Sequence, residues 1–155
     1  MYQIISMCER HVPYIAALEA QVFSAPWDEA SIQGELENSL ALWLIAEDEG
    51  GEGEEKPVLG YVGSQSCFED ADILNVCVAP EARRRGIAEA LMLELERRLR
   101  PKGVEKITLE VRASNVPAIA LYSKIGYVKV GTRRNYYEKP REDALILQKS
   151  LLSES

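Results

Sequence analysis

Apolar positions along this chain recur in two rhythms, every second residue and every third or fourth, and the two alternate. Residues 2–7 (Tyr-Gln-Ile-Ile-Ser-Met) read as a first strand. Residues 9–22 read as a helix with Val12, Ile15, Leu18 and Val22 on one face. Asp28 N-caps a second helix over about 29–37. Strand patterns follow at 41–48, 57–67 and 72–78, the first two separated by a polar Gly/Glu segment, Glu49–Lys56, that reads as a solvated hairpin tip. A helix over 86–100 carries Ile87, Leu91, Leu95 and Leu99 and is stopped by Pro101-Lys102-Gly103. Residues 105–112 alternate as a strand, and Ser114 or Asn115 caps a helix through Ile125 that Gly126 ends. Residues 127–132 are a strand, 135–140 a turn and 143–149 the last strand, with a frayed tail from Leu151.

The order is β-α-α-β-β-β-α-β-α-β-β, which predicts one α/β domain over residues 1–150. Its mixed central sheet has about seven strands flanked by about four helices. Strands 72–78 and 105–112 become parallel neighbours, joined right-handed through the intervening helix. Ligands in open α/β sheets bind beyond the C-terminal ends of such strands. That rule puts the segments Arg83–Ala88 and Arg112–Asn115 at one rim.

Composition narrows the classes. The 155 residues suit one domain with a sizeable core. A net charge of −7 argues against a general nucleic-acid binder and suits a cationic partner or simple solubility. The longest apolar run, Leu40 to Ala46, is too short to span a bilayer, and from Met1-Tyr2-Gln3 no signal peptide is expected. No membrane association and a cytoplasmic location are expected. Cys8, Cys67 and Cys77 make no disulfide framework, and with His11 alone no metal cluster is expected. Cys77 reads as a packed strand thiol.

The stretch from Asn75 to Ala88 is the most informative. An apolar strand (Ile73, Val76, Val78) meets Pro80, which cannot continue it, and a helix begins at Ile87. Between them stand three arginines, Arg83, Arg84 and Arg85, and Gly86. The first N–H groups of a helix lack intrahelical partners and sit at the positive end of its dipole, so a phosphate is favoured there. A solvated arginine-rich turn is the alternative. The segment is neither a Walker loop nor a dinucleotide fingerprint.

The spacing Arg83-x-x-Gly86-x-Ala88 after a strand resembles the acetyl-CoA signature of the GCN5-related N-acetyltransferases. The resemblance implies a single domain of that fold and acetyl-CoA as cosubstrate, without a metal. It implies that Arg83, Arg84, Arg85, Gly86, Ile87 and Ala88 cradle the CoA pyrophosphate, and that Val76, Cys77 and Val78 offer backbone groups to the pantetheine arm and thioester carbonyl. Direct transfer of acetyl to an amine needs a group to take the amine's proton and one to serve the leaving sulfur. Glu110, late in its strand, and Tyr122, in the next helix, can reach one cleft; an exposed strand carboxylate and a core tyrosine are the bland alternatives.

Leu109-Glu110-Val111-Arg112-Ala113-Ser114-Asn115, Ala118-Ile119-Ala120-Leu121-Tyr122, Ile125-Gly126-Tyr127 and Arg133-Arg134-Asn135-Tyr136-Tyr137 resemble the bacterial RimI type of ribosomal-protein-alanine N-acetyltransferase. Leu74-Asn75-Val76-Cys77-Val78, Asp143-Ala144-Leu145-Ile146-Leu147 and Phe23-x-x-Pro26-Trp27 fit as well. This implies Glu110 as general base, Tyr122 as general acid, Asn115 as a CoA contact and Tyr136 and Tyr137 near the peptide cleft. Trp27 is a substrate wall or a lid on the core, and Phe23 is read as core. The implied acceptor is a protein N-terminus, the alanine of a small-subunit ribosomal protein, met by a monomer that binds no nucleic acid. A lysine side chain or small amine as acceptor, and a non-catalytic acyl-CoA-binding module, are the alternatives.

Overall fold

The computed structural model describes residues 1–50 and 56–152. Most of the expected Gly/Glu hairpin tip, and the end of the tail, lie outside the described residues. The elements are β1 (Tyr2–Ser6), α1 (Val12–Val22), α2 (Glu29–Leu36), β2 (Ala41–Asp48), β3 (Val58–Cys67), β4 (Asp70–Val78), α3 (Ile87–Leu99), β5 (Lys106–Arg112), α4 (Val116–Lys124), β6 (Val128–Tyr137) and β7 (Glu142–Ser150). The order is the expected one. Single-turn 3-10 segments cover Glu9–His11, Pro80–Ala82 and Arg100–Lys102.

The strands form one seven-stranded sheet in the order β1-β2-β3-β4-β5-β7-β6. Among the described residues only β4 and β5 pair in parallel; the other neighbours are antiparallel. Residues Val58–Ser64 of β3 are all buried, so both faces of the sheet centre are covered. Helix α3 packs on β2, β3 and β4 through Ile87, Leu91, Met92, Leu95 and Leu99, a stripe at helical spacing. Burying each such side chain is worth about 1.5–3 kcal/mol. Helices α1 and α2 pack together against the other side. There Trp43 fills the space over Gly63, where an added Cβ would lie 2.5 Å from the indole.

Three sequence expectations need correction. β6 continues to Tyr137, through residues expected to turn. Asn135, at φ 53°, is absorbed as a slip in the β6–β7 register, because its N–H donates to Asp143 Oδ1 at 2.8 Å. β4 begins two residues earlier than expected, at Asp70, directly after the turn from β3. Leu151 is not frayed: it is buried, and its N–H donates to Glu105 O at 2.7 Å.

The feature that shapes the molecule lies in β4. Gly63 pairs with Asn75 and Ser64 pairs with Ile73, which leaves Leu74 as an extra, bulged residue. A bulge bends its strand and increases the local twist. The parallel pairing with β5 covers only Asp70 to Asp72 against Lys106 to Thr108 and ends just before the bulge. Beyond it β4 runs with β3 and β5 runs with β7, so the sheet opens between them.

The single histidine is structural. His11 is buried; its Nε2–Glu47 Oε2 separation is 2.8 Å, and its Nδ1 accepts the Cys8 N–H at 3.0 Å. Arg10, first, and then His11 hold the buried Glu47 carboxyl down at about 2, against an ordinary 4.5. A depressed carboxyl pKa contributes stability that is complete above about pH 4.5 and is lost as the pH falls through about 2. Urea midpoints measured from pH 5 to pH 2 should therefore fall more steeply in the wild type than in Glu47→Gln, which has no carboxyl to protonate there.

Candidate functional site

Two clefts meet at the opening between β4 and β5. The larger, about 620 Å³, lies between Val76–Val78, the Arg83–Gly86 loop, the start of α3 and α4. The smaller, about 330 Å³, is bounded by the α1–α2 loop, Asn75, Arg112, Tyr137 and the β6–β7 turn. Val22 and Phe23 line both, so they form the wall where the clefts join.

The larger cleft gathers most of the residues predicted to bind the cosubstrate. On its β4 side the pairing with β5 has ended, so the strand edge from Val76 to Val78 keeps backbone groups that no neighbouring strand uses. Arg84 at φ 68° and Gly86 at φ 74° turn the loop sharply into α3. Gly86 is the N-cap of α3, and among the described residues no side chain caps the helix. Its first intrahelical bond runs from Ala90 N to Gly86 O at 3.0 Å, which leaves the N–H groups of Ile87, Ala88 and Glu89 without helical partners. These three residues line the cleft. A Cβ at Gly86 would meet nothing within 4 Å, so the floor in front of the helix is open, and the left-handed backbone is what calls for glycine. Arg83 and Arg84 line the cleft, and Arg83 Nε donates to Val78 O at 3.4 Å. Arg85 does not line it; its guanidinium lies 5.8 Å from the ring centre of Tyr2.

On the opposite wall Asn115 caps α4 by accepting the Ala118 N–H at 3.3 Å. Tyr122 is buried; burial first, then the neighbouring Tyr137, pushes its phenol up to about 12. Cys77 is buried as well, and burial pushes its thiol up to about 11, so it remains protonated and unreactive near neutrality.

The smaller cleft is aromatic and polar. Trp27 meets Trp43 edge-on at 5.5 Å and still lines the cleft, so it serves as both wall and lid. The Arg112 guanidinium lies 4.4 Å from the ring centre of Tyr137. It donates to Pro140 O at 3.0 Å and to Glu138 O and Ser24 Oγ at 3.3 Å, tying the β6–β7 turn to the α1–α2 loop. Burial, then Tyr136, then the Glu110 carboxylate push the Tyr137 phenol up to about 12.

Besides Arg85, two predicted residues stand apart from the clefts. Tyr136 is half exposed and packs edge-on to Tyr137 at 5.0 Å. Glu110 lines neither cleft; its Oε1 accepts from Arg133 Nε at 3.2 Å, and its side chain is 26% exposed. Tyr137, which lines the smaller cleft, lies near enough to Tyr122 to push its phenol up, and Glu110 near enough to Tyr137 to do the same.

Glu19, Phe23 and Asn75 also belong to these walls, although the sequence pattern does not mark them as site residues. Glu19 follows Ile15 by four, so it stands on the apolar face of α1, and Asn75 is a polar break in the apolar run of β4. A polar residue inside a core pattern was the available signal. Phe23, read as core, is partly buried there and is also the wall between the clefts.

A family model described as the acetyltransferase (GNAT) family matches residues 4–127. A Bacillus subtilis (strain 168) protein named putative [ribosomal protein bS18]-alanine N-acetyltransferase is 36% identical over 137 residues, 88% of this chain and 87% of that one. The Escherichia coli (strain K12) [ribosomal protein bS18]-alanine N-acetyltransferase is 34% identical over 152 residues, 95% of this chain and 96% of that one. The crystal structure of the ribosomal-protein-S18-alanine N-acetyltransferase from Escherichia coli superposes with a TM-score of 0.88 at 29% identity, covering 100% of this chain and 97% of that one. Arabidopsis thaliana NAA60 in complex with acetyl-CoA shares the fold, with a TM-score of 0.87 at 17% identity over 97% of this chain and 99% of that one.

Arg112→Lys removes the forked donors that tie the two loops. Amide hydrogen exchange at residues 138–142 should accelerate roughly tenfold, for about 1–2 kcal/mol of lost local stability. Unchanged exchange would show that other contacts hold the turn.

Proposed function

The chain belongs to the acetyltransferase (GNAT) family, and from that premise we propose that this acetyl-CoA-dependent enzyme acetylates a protein N-terminal α-amine. The favoured acceptor is the N-terminal alanine of ribosomal protein bS18, the acceptor in the relatives' names. The observation that carries this reading is the junction of the two clefts at Phe23. One offers uncapped helix amides, arginines and an unused strand edge; the other offers aromatic walls and side-chain polar groups.

The larger cleft fits acetyl-CoA in its chemistry. The α3 amides with Arg83 and Arg84 suit a pyrophosphate, and Val76, Cys77 and Val78 suit an amide-bearing arm. Asn115 borders the same cleft. Arg85 contributes positive charge from outside it. Bound there, acetyl-CoA supplies the acetyl group as an activated thioester.

Glu110, which lines neither cleft, takes the proton of the acceptor amine through intervening water. An α-ammonium near ~8 gives up its proton more readily than a lysine near ~10.4, so a carboxylate suffices. Arg133 orients that carboxylate from one side through Oε1. The Tyr122 hydroxyl, kept protonated by burial, donates to the sulfur as charge develops there. Full proton transfer from a phenol at about 12 to a thiolate near ~8.5 is uphill, so Tyr122 assists chiefly as a hydrogen-bond donor. Trp27 and Tyr137 bound the peptide's entry, with Tyr136 at its outer edge.

Free-thiol release from acetyl-CoA with a lysine-free peptide beginning with Ala tests the reading. Release should occur, and should vanish when the peptide's N-terminus is blocked. Release only with lysine peptides or small amines would reassign the acceptor. Acetyl-CoA binding without any release would favour a binding module. In Glu110→Gln the rate should fall on the order of 10²-fold or more below the amine pKa, and less at high pH. A pH-independent loss would contradict the general-base role. Gly86→Val should weaken CoA binding roughly tenfold or more, by straining the left-handed position and crowding the phosphate floor. Unchanged affinity would overturn the loop assignment.

A further inference from the structure

We propose that Glu19 is a positioning residue for the acceptor: it locks the Asn75 amide so that Asn75 Oδ1 faces the smaller cleft and accepts an N–H of the incoming amine. The proposal rests on the reading of that cleft as the acceptor site.

Glu19 is fully buried in α1. Among the described residues three donors meet its carboxylate. Oε1 accepts the Trp27 backbone N–H at 2.9 Å. Oε2 accepts the Tyr61 hydroxyl. Asn75 Nδ2 lies 3.0 Å from Oε1 and 2.9 Å from Oε2, shared between them. Among the described residues no lysine or arginine pairs with it. A buried carboxylate without a cation is costly unless every oxygen is hydrogen-bonded, so each donor is held firmly.

The consequence falls on Asn75. A carboxylate accepts and does not donate, so the amide must present its NH₂ group to Glu19. The two ends of a planar amide diverge, so Oδ1 is turned away from Glu19. Asn75 lines the smaller cleft, and among the described residues its Oδ1 accepts no hydrogen bond. The cations bordering the cleft, Arg112 and Lys139, are donors. An amine that attacks through its lone pair must have its N–H groups held by acceptors, and Asn75 Oδ1 supplies one.

Peptide and acetyl-CoA KM values, measured by thiol release, test this. Asn75→Ala should raise the peptide KM on the order of tenfold and leave the acetyl-CoA KM unchanged. Glu19→Gln turns one accepting oxygen into a donor, frees the amide to rotate, and should raise the peptide KM to a similar extent. The double variant should be no worse than Asn75→Ala, because Glu19 acts through Asn75. Tyr61→Phe removes a donor but leaves the Asn75 contact, so its peptide KM should stay within about twofold. An unchanged peptide KM in Asn75→Ala overturns the proposal. Effects that multiply in the double variant, or that raise both KM values together, also overturn it. Should Glu19→Gln not fold, Glu19→Asp, which withdraws the carboxylate by one methylene, carries the same expectation. Wild-type protein that releases no thiol with the peptide would refute the acceptor reading itself, a result distinct from any of these.

Discussion

One extra residue in one strand organises the molecule. Leu74 has no partner in β3, and the bend it forces is where β4 parts from β5. Had the parallel pairing run the length of both strands, their backbone groups would satisfy one another and nothing could enter. As it stands, three pairs hold the strands together at one end, and the other end opens into the larger cleft. The cost of the unpaired edge is tolerated because the rest is firmly built. β3 is buried along most of its length, α3 seals one face, and Trp43 seated over Gly63 seals the other.

The two clefts divide the chemistry between them. The larger uses what secondary structure provides without charge burial: helix N–H groups, a strand edge and solvated arginines. The smaller depends on side chains fixed from behind. Arg112 binds four oxygen-bearing partners across its rim. Glu19 gathers Trp27, Tyr61 and Asn75 beneath it. Phe23, shared by both clefts, stands where a group passing from one to the other must cross. Burial keeps Tyr122 and Cys77 protonated beside that point, which suits a donor and excludes a thiolate nucleophile.

The periodicity of apolar residues made the element order legible, because helices and strands bury different faces. The Arg83, Gly86 and Ala88 spacing located the loop, and Gly86 adopts φ 74°, a left-handed backbone that favours glycine. The roles of Glu110 and Tyr122 came from resemblance, not from the residues' own pattern. What stayed hidden depends on contacts distant in the chain. Of the three adjacent arginines the one outside the cleft, Arg85, lies beside Tyr2, far off in β1. The Glu110–Arg133 pair joins two strands that are not sheet neighbours, and Asn135 is drawn into β6 by Asp143. The bulge has no signature beyond two adjacent apolar residues, Ile73 and Leu74. Tertiary pairing fixes its place.

The central claim is that the parting of β4 and β5 creates the cosubstrate site. Amide hydrogen exchange with and without acetyl-CoA tests it most directly. Slowed exchange should appear within Val76–Val78 and over Ile87–Glu89, with β1 and β2 unaffected. Protection absent from both segments, or confined to the α1–α2 and β6–β7 loops, would contradict it.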